Sequence, residues 1–318
     1  MPHFEIGQYL SESTRPSTSI HAVIAPLELT GKTIMEFLTS FLPPYWAEFL
    51  FSQAQLWLAV FTFDTLRYLI GAGLVSVVLF RLLAAWSENR RIQKRRASRK
   101  DVWRELRYSL LTTSVYATVA LFTIAAKERS WLQVYTDLED YNAWYTALTL
   151  PLLLVLHDSY FYWAHRAMHH PAMYRWSHRV HHLSLTPTPW AAYSFAPMEA
   201  LIMALFMPAA LALVPLHGTV IFMFLAIMIV RNAMGHSGVE FAHHRWVDSP
   251  LDFLTTTTHH DMHHQKFAGN YGLYFTWWDR WMGTELPGYK EAFRKAAAGK
   301  LPRKPVSNTP SLTSEAGV

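Results

Sequence analysis

The 318-residue chain has no cysteine. This absence excludes both a disulfide framework and thiolate metal ligands, so any bound metal must be held by nitrogen or oxygen atoms. Charge is also scarce, since 16% of the residues are charged while 51% are hydrophobic. Residues 1–32 lack the basic segment, apolar core and small-residue cleavage site of a secretory signal. We therefore interpret residues 1–44 as a leader that is poorly ordered or lies at a membrane interface.

Three apolar stretches in the first half of the chain are candidates for membrane helices. Residues 68–86 are almost uncharged, and their length suits a hydrocarbon core about 30 Å thick. Residues 108–126 form a second such stretch. Residues 45–63 are apolar and aromatic, but prolines and charged residues bracket them. This stretch is therefore predicted to cross the membrane, to re-enter it or to lie in its interface.

A dense basic run after residue 86 sets the expected orientation. It comprises Arg90, Arg91, Lys94, Arg95, Arg96, Arg99 and Lys100. Basic residues beside a membrane helix favour the cytosolic side and attract anionic lipid. The net charge of +5 therefore indicates an anionic lipid surface as a partner. We predict no nucleic-acid binding, because the basic residues lie beside apolar runs.

The later apolar segments place two histidine-rich segments on that same side. Residues 143–156 run directly into the first of them, 157–182. Residues 198–230 indicate two helices joined by a tight exterior turn, which returns the chain for the second segment, 236–264. The sequence therefore predicts an all-α protein with multi-pass transmembrane helices and a His-rich di-metal region at the cytosolic face.

The histidines are strongly clustered, since only His3 and His21 of the 17 lie outside residues 157–264. His165 and His169 are four residues apart, which places both imidazoles on one face of a helix. Two clusters of the form His-x-x-His-His follow, namely His178, His181 and His182, and His260, His263 and His264. Eight or more imidazoles exceed what one ion needs, so we expect two ions, and iron, copper, zinc and nickel all remain open.

Two carboxylates accompany these histidines. Asp158 precedes His165 by seven residues on the same helical face, where it is expected to accept the free ring N–H of a ligating histidine. Glu240 stands four residues after His236. We expect both carboxylates to take part in catalysis, Asp158 by supporting the ligands and Glu240 as a further oxygen donor.

Several motifs resemble those of a known family, the fatty-acid hydroxylase and sterol desaturase superfamily. Residues 157–170, 177–184 and 260–264 resemble its three histidine boxes in order and spacing, and residues 270–284 resemble its closing signature. Residues 187–193 and 235–240 are similar to the sterol C-5 desaturase-like branch. The resemblance covers roughly residues 143–293 and is specific as sequence motifs go.

This resemblance implies a non-haem di-iron oxidoreductase. Two iron ions (Fe2+/Fe3+) and dioxygen would hydroxylate or desaturate a membrane lipid, sterol-like or fatty acyl, with electrons from NAD(P)H through an electron-transfer protein, a cytochrome or a ferredoxin. The implied metal ligands are His165, His169, His178, His181, His182, His236, His260, His263 and His264. Two positions depart from the family pattern, because Ala196 and Glu240 stand where histidines are frequent. His170, His243, His244 and His259 adjoin the boxes as weaker candidates.

The domain boundaries follow from these assignments. A transmembrane region with the polybasic loop spans 45–142, the catalytic domain 143–293, and a disordered basic tail 294–318. The expected location is the endoplasmic reticulum in a eukaryote or the inner membrane in a bacterium. The alternative is a membrane metal transporter or sensor without redox chemistry, although transporter sites tend to lie near the bilayer midplane and the clusters here flank the apolar spans.

Overall fold

The computed structural model describes residues 18–299. Its helices are α1 (Thr18–Phe41), α2 (Pro44–Val77), α3 (Ala84–Asn89), α4 (Arg99–Glu128), α5 (Ala143–Met168), α6 (Pro171–Ser177), α7 (Pro197–Ala204), α8 (Phe206–Leu213), α9 (Gly218–Gly235), α10 (Thr257–Lys266), α11 (Trp277–Trp281) and α12 (Tyr289–Ala298). Strands β1 (Val134–Tyr135) and β2 (Leu216–His217) pair in parallel. The all-α prediction is confirmed. The leader and tail predicted at 1–44 and 294–318 both extend beyond the described residues.

The chain divides into two compact units after Leu56. In the first unit, α1 and the start of α2 lie close together, because a Cβ atom added at Gly31 would stand 3.5 Å from Phe51 Cζ. The second unit contains the rest of α2 and every histidine of the 157–264 window.

Helix α2 is longer than the sequence predicted. It continues as a π-helical turn, Val78–Leu82, so that Pro44–Leu82 is one apolar helix long enough to cross a membrane. The apolar stretches 45–63 and 68–86 merge because no proline or glycine separates them, and because the charges of Asp64 and Arg67 pair at 2.7 Å. The helix ends at Leu82 instead of residue 86.

Two further helices, α4 and α9, are long and apolar enough to span a membrane. Helix α4 contains the predicted span 108–126 and starts with a capping box, in which Ser98 and Asp101 satisfy each other's backbone N–H groups. The predicted apolar hairpin 198–230 is present as α7, α8 and α9. The turn before α9 contains β2, which pairs with β1. There His217 Nε2 lies 3.0 Å from the Thr136 carbonyl oxygen, and this contact holds the turn in place.

The core of the second unit brings the helices to the site. Tyr68 and Ala72 of α2 pack with the 3-10 segment Pro189–Tyr193 and with Ile229 of α9. Gly71 permits this approach, because a Cβ atom there would stand 2.9 Å from Ile229 Cγ1. Burial of this apolar layer stabilises the packing of these helices. The layer includes Ile229 and Ala233, which hold the end of α9 that precedes His236.

The polybasic segment after α3 packs directly on the histidine-rich half. The Ile92 N–H donates to the Gly238 carbonyl at 3.0 Å, and the Glu240 N–H donates to the Arg90 carbonyl at 3.1 Å. The Gln93 side chain donates to Asp261 Oδ1 at 2.9 Å. The basic run therefore begins in direct contact with the second histidine segment.

Candidate metal centre

The nine histidines predicted as ligands lie at helix ends and turns that converge on one region. His165 is in the last turn of α5 and His169 follows its end, His178 follows α6, and His236 follows α9. His181 and His182 lie in a 3-10 turn, and His260, His263 and His264 lie on α10. Two groups result, in each of which the ring nitrogens lie within 4.8 Å of one another: His165, His169, His178, His182 and His263, and His181, His236, His260 and His264.

The contacts inside each group join Nε2 atoms. In the first group they are His165–His178 at 2.9 Å, His169–His182 at 3.0 Å and His169–His263 at 3.2 Å. In the second group they are His236–His260 at 2.9 Å, His260–His264 at 3.1 Å and His181–His236 at 3.2 Å. The Nε2 atoms of each group therefore point at a common centre.

In three of these rings, the hydrogen-bond partner of Nδ1 determines which tautomer is present. His165 Nδ1 lies 2.9 Å from the Tyr271 carbonyl, His236 Nδ1 lies 2.8 Å from that of Asn232, and His263 Nδ1 lies 2.7 Å from that of Gly269. A carbonyl oxygen only accepts, so Nδ1 carries the hydrogen in each ring. In the neutral imidazole Nε2 then presents a bare lone pair to its neighbours.

Burial keeps these imidazoles neutral. It lowers the pKa of His236 to about 4 and that of His169 to about 4, because the protonated form loses its hydration in the interior. The pKa of His165 and of His263 is lowered well below the usual value, first by burial and then by neighbouring histidines. At neutral pH every ring of this kind is available to a metal ion.

Lone pairs that face one another across 2.9 to 3.2 Å repel unless a cation lies between them. Two nitrogens bound at right angles about 2.1 Å from one ion stand about 3.0 Å apart. The spacing within both groups matches this edge of a coordination polyhedron. The donor set of five and four imidazoles therefore fits two ions of a borderline transition metal.

Glu199 is a functional side chain that sequence reasoning missed. His178 Nδ1 donates to Glu199 Oε1 at 2.8 Å, and both side chains are 2% exposed. Glu199 Oε2 has no hydrogen-bond partner among the described residues. Such a carboxylate orients the imidazole and makes it a stronger donor to metal. A signal was present, because Glu199 is the one charged residue in the apolar stretch 197–213.

Asp158 does not contact a ligating histidine, which corrects the predicted hydrogen bond. Its Oδ1 accepts from the backbone N–H groups of Leu273, Tyr274 and Phe275 at 3.2, 2.7 and 3.2 Å, and Oδ2 accepts from Trp277 Nε1 at 3.2 Å. His165 donates to the Tyr271 carbonyl instead. Asp158 thus holds the loop next to the Tyr271 carbonyl. It can act on the metal position only indirectly, through this loop and His165.

Glu240 lies at the N-terminus of α10, outside both histidine groups. Its Oε2 accepts from the Thr258 N–H at 2.9 Å and from the Thr258 hydroxyl at 2.6 Å, while Oε1 accepts from the Ala242 N–H at 2.9 Å. A carboxylate there offsets the positive end of the helix dipole. Glu240 thereby anchors the helix that carries three of the ligand candidates, and its predicted part as an oxygen donor stays a prediction.

The weaker histidine candidates also lie outside both groups. They make other contacts: His170 with the N-terminus of α6, His259 with Asp279, and His243 with His244.

Comparison with known proteins gives relatives for this half of the chain. The fatty acid hydroxylase family model matches residues 150–284. The chain is 28% identical over 232 residues to a Delta(7)-sterol 5(6)-desaturase of Gibberella zeae, covering 70% of each protein. It is 31% identical over 171 residues to a methylsterol monooxygenase of Aspergillus fumigatus and 32% identical over 165 residues to a lathosterol oxidase of Rattus norvegicus. No solved structure matches the chain.

These alignments differ in extent. The last two cover 51% of this chain, and they cover 55% of the monooxygenase and 53% of the oxidase. The chain therefore spans about half the length of these two curated relatives. The family match covers residues 150–284 and contains all nine ligand candidates, so it includes the whole candidate metal centre.

Proposed function

We propose that this chain, whose residues 150–284 match the fatty acid hydroxylase family and which is similar to a sterol desaturase, is a membrane-bound di-iron oxidoreductase that uses dioxygen to hydroxylate or desaturate a sterol-like lipid. The observation that carries the proposal is the set of nine imidazoles whose Nε2 atoms gather in two groups, one of five and one of four. All-nitrogen donors of this kind suit a redox-active transition metal.

The protein's own residues would hold and tune the ions. The first ion would be bound by His165, His169, His178, His182 and His263, and the second by His181, His236, His260 and His264. Two bound iron ions supply the activation of dioxygen against an unreactive C–H bond. Backbone carbonyls and Glu199 hold the rings in position, so that little reorganisation is needed when the ions bind.

An apolar cavity next to the histidines supports a lipid substrate. Phe161 lines it and lies 5.1 Å from the His165 ring, and Phe195 lines it and lies 5.3 Å from the His181 ring, between ring centroids. The cavity is therefore separated from each histidine group by one aromatic side chain. Most of its other walls are aliphatic or aromatic, and such a chamber excludes water from a hydrocarbon substrate.

The relatives' names narrow the substrate. They describe enzymes that act on sterols, and we propose a sterol or a similar polycyclic lipid for this chain. The reducing equivalents would come from NAD(P)H through a cytochrome or ferredoxin. This donor would approach the cytosolic face, where the proposed topology places the polybasic run and both histidine segments.

The experiment compares cells that express the chain with cells that express His263→Ala. The expected result is two iron ions per purified chain and a new or depleted sterol in the lipid profile, both lost in the variant. A nitrogen-rich site also takes up zinc during overexpression, so the lipid profile decides. Unchanged lipids together with altered uptake or efflux of a metal would overturn the proposal in favour of a transporter.

A further inference from the structure

An ion pair inside the longest apolar helix lines the cavity. Arg67 Nη2 donates to Asp64 Oδ1 at 2.7 Å, and Arg67 Nη1 donates to the Tyr193 hydroxyl at 3.0 Å and to the Leu225 carbonyl at 3.1 Å. The side chains of Asp64 and Arg67 are 11% and 9% exposed. Ionisable residues within a membrane helix are costly and mark functional sites unless they serve only packing.

The polar wall retains unused hydrogen-bonding capacity. Asp64, Arg67, Tyr116 and Tyr193 all line the cavity. Among the described residues, Asp64 Oδ2 accepts no hydrogen bond and the Tyr116 hydroxyl makes none, while Arg67 donates to Asp64 Oδ1, the Tyr193 hydroxyl and the Leu225 carbonyl. Asp64 Oδ2 and the Tyr116 hydroxyl can therefore bond a ligand in a mostly apolar cavity, whose other polar lining residues are Arg67, Thr123, His157, Tyr193 and Asn232.

The charge of this wall selects the kind of group it can bind. Asp64 and Arg67 neutralise each other, so an incoming carboxylate or phosphate would meet Asp64 without a spare cation, and an ammonium group would compete with Arg67. A neutral hydroxyl can donate to Asp64 and accept from Tyr116. We propose that Asp64 and Tyr116, held in place by Arg67 and Tyr193, recognise the hydroxyl group of a neutral lipid alcohol. This inference rests on the proposed function, because it concerns the substrate of the same metal centre.

The wall stands close to the histidines. The Tyr193 ring lies 6.2 Å from the Phe195 ring, which lies 5.3 Å from the His181 ring. A lipid whose hydroxyl is held at this wall would place the rest of its ring system along Tyr193 and Phe195, toward the metal centre. The oxidised carbon is therefore expected in the ring system that carries the hydroxyl and not at the far end of a long chain.

An apolar groove on an exposed side of α4 leads to the cavity. The groove and the cavity share Val119, Thr123 and Pro208. Phe122 and Leu205 line the groove and are 72% and 46% exposed, which suits contact with hydrocarbon. This arrangement gives a lipid alcohol a lateral route from the bilayer to the polar wall.

Binding in nanodiscs tests the proposal without turnover. The probes are tritiated lathosterol, its 3-deoxy analogue, which lacks only the hydroxyl, and stearate. We expect lathosterol to bind at least about tenfold more tightly than the deoxy analogue, because the analogue leaves buried polar groups unpaired. Tyr116→Phe and Asp64→Asn should each reduce this preference about threefold to tenfold, the effect of one hydrogen bond.

Tyr108→Phe is the matched control, since Tyr108 lies on α4 two turns before Tyr116 and does not line the cavity. It should leave the preference unchanged. Equal binding of lathosterol and the deoxy analogue, or a preference that survives both cavity variants, would overturn the proposal and leave the ion pair as a link between helices. Tighter binding of stearate would overturn it in favour of an acidic lipid.

The binding experiment distinguishes a failure of the hydroxyl-recognition proposal from a failure of the proposed function. Sterol binding with a hydroxyl preference in His263→Ala shows that recognition does not require the metals. If the preference holds but no lipid changes in cells, the oxidoreductase proposal fails and the recognition site stands. If lipids change but no preference is measured, the recognition site fails and the enzyme stands.

Discussion

His178 and Glu199 form a buried pair in which the ring Nδ1–H donates to the carboxylate at 2.8 Å. The other nitrogen of the same ring lies 2.9 Å from His165 Nε2, in the first histidine group. The pair therefore connects a carboxylate on an apolar helix to a candidate metal position.

Removal of the Glu199 carboxylate tests this connection. Glu199→Ala should weaken metal binding roughly 10- to 100-fold, the usual effect of losing a partner that orients a ligand. Glu199→Gln keeps an oxygen acceptor but not the charge. Its metal affinity should therefore lie between that of the wild type and that of Glu199→Ala. Competition between the purified variants and a chelator for Fe2+ measures this, and equal affinity in all three proteins would make Glu199 a packing residue.

Loss of a single imidazole should disable the centre without unfolding the chain. His181→Ala removes one of four donors in the second group, and His263→Ala removes one of five in the first. Each variant should lose at least one metal ion and all turnover while keeping its helical circular dichroism, because the helices are held by separate apolar contacts. His244→Ala, which lies outside both groups, is the control. Full metal content and activity in either ligand variant would rule out the two-ion centre.

Pairs of histidines within each group could be predicted from sequence, because their spacing along the chain is local. His165 and His169, or His260 and His264, share a helical face through four-residue spacing alone. Assigning all nine, however, depended on the family resemblance. The division into one group of five and one of four could not be predicted, since it separates the neighbours His181 and His182.

The supporting carboxylates could not be predicted because their partners are distant in sequence. Asp158 faces the loop 273–277, more than 110 residues away, so its place on the helix of His165 gave the wrong contact. Glu199 meets His178 only after α6 and α7 fold together. The continuity of α2 was missed for a related reason. The charges of Asp64 and Arg67 suggested that the helix is interrupted there, but they pair with each other along one continuous helix.

Asp158 should affect the site through the loop it holds. Asp158→Ala leaves three backbone N–H groups and the Trp277 indole without their acceptor, which should lower the free energy of unfolding by about 3 kcal/mol. Asp158→Asn keeps one acceptor oxygen but turns an NH2 group toward Trp277 or the backbone donors. It should lower metal affinity or activity roughly 10- to 100-fold.

Thermal unfolding of the metal-free variants, together with chelator competition, separates these two effects. If Asp158→Asn retains full affinity and activity, the loop does not need the carboxylate. Ser159→Ala is a neighbouring control, since the Ser159 hydroxyl accepts from Trp278 Nε1 but does not contact the 273–275 backbone.

The metal-free protein should lose stability in mild acid. Burial lowers the pKa of His169 and His236 to about 4, whereas in the unfolded chain the value is about 6.5. Between these values the unfolded state binds more protons, so the free energy of unfolding rises with pH, by up to about 1.4 kcal/mol per pH unit for each such histidine. The stability is therefore complete above about pH 6.5 and falls as the pH drops toward 4.

Denaturant unfolding of the metal-free protein at pH 7.5, 6 and 5 measures this slope. In His236→Gln the slope should decrease by the share of one histidine, because glutamine does not titrate. A stability that is constant over this range would contradict buried neutral imidazoles. Metal-loaded protein should release its ions over the same interval, since protons compete for the Nε2 lone pairs.

The exposed part of the basic run is expected to attract an acidic electron donor. Lys94, Arg95, Arg99 and Lys100 are exposed and make no ion pair with the described residues, whereas other members of the run are committed to the fold. Because segment 90–93 packs on residues 238–240, these four charges lie near the second histidine segment. Changing all four to glutamine should therefore slow donor-dependent turnover while leaving the metal content intact.

Salt dependence distinguishes docking from attachment to the membrane. Attraction between exposed charges is screened over roughly 10 Å at 0.1 M salt, so the wild-type rate should fall as ionic strength rises, and the variant should lose most of this dependence. Lys127→Gln with Arg129→Gln is the control, since these residues lie at the opposite end of α4, about 40 Å away along the helix. With topology verified in each variant, an unchanged rate and an unchanged salt dependence would mean that the donor docks elsewhere and that the run serves the lipid surface alone.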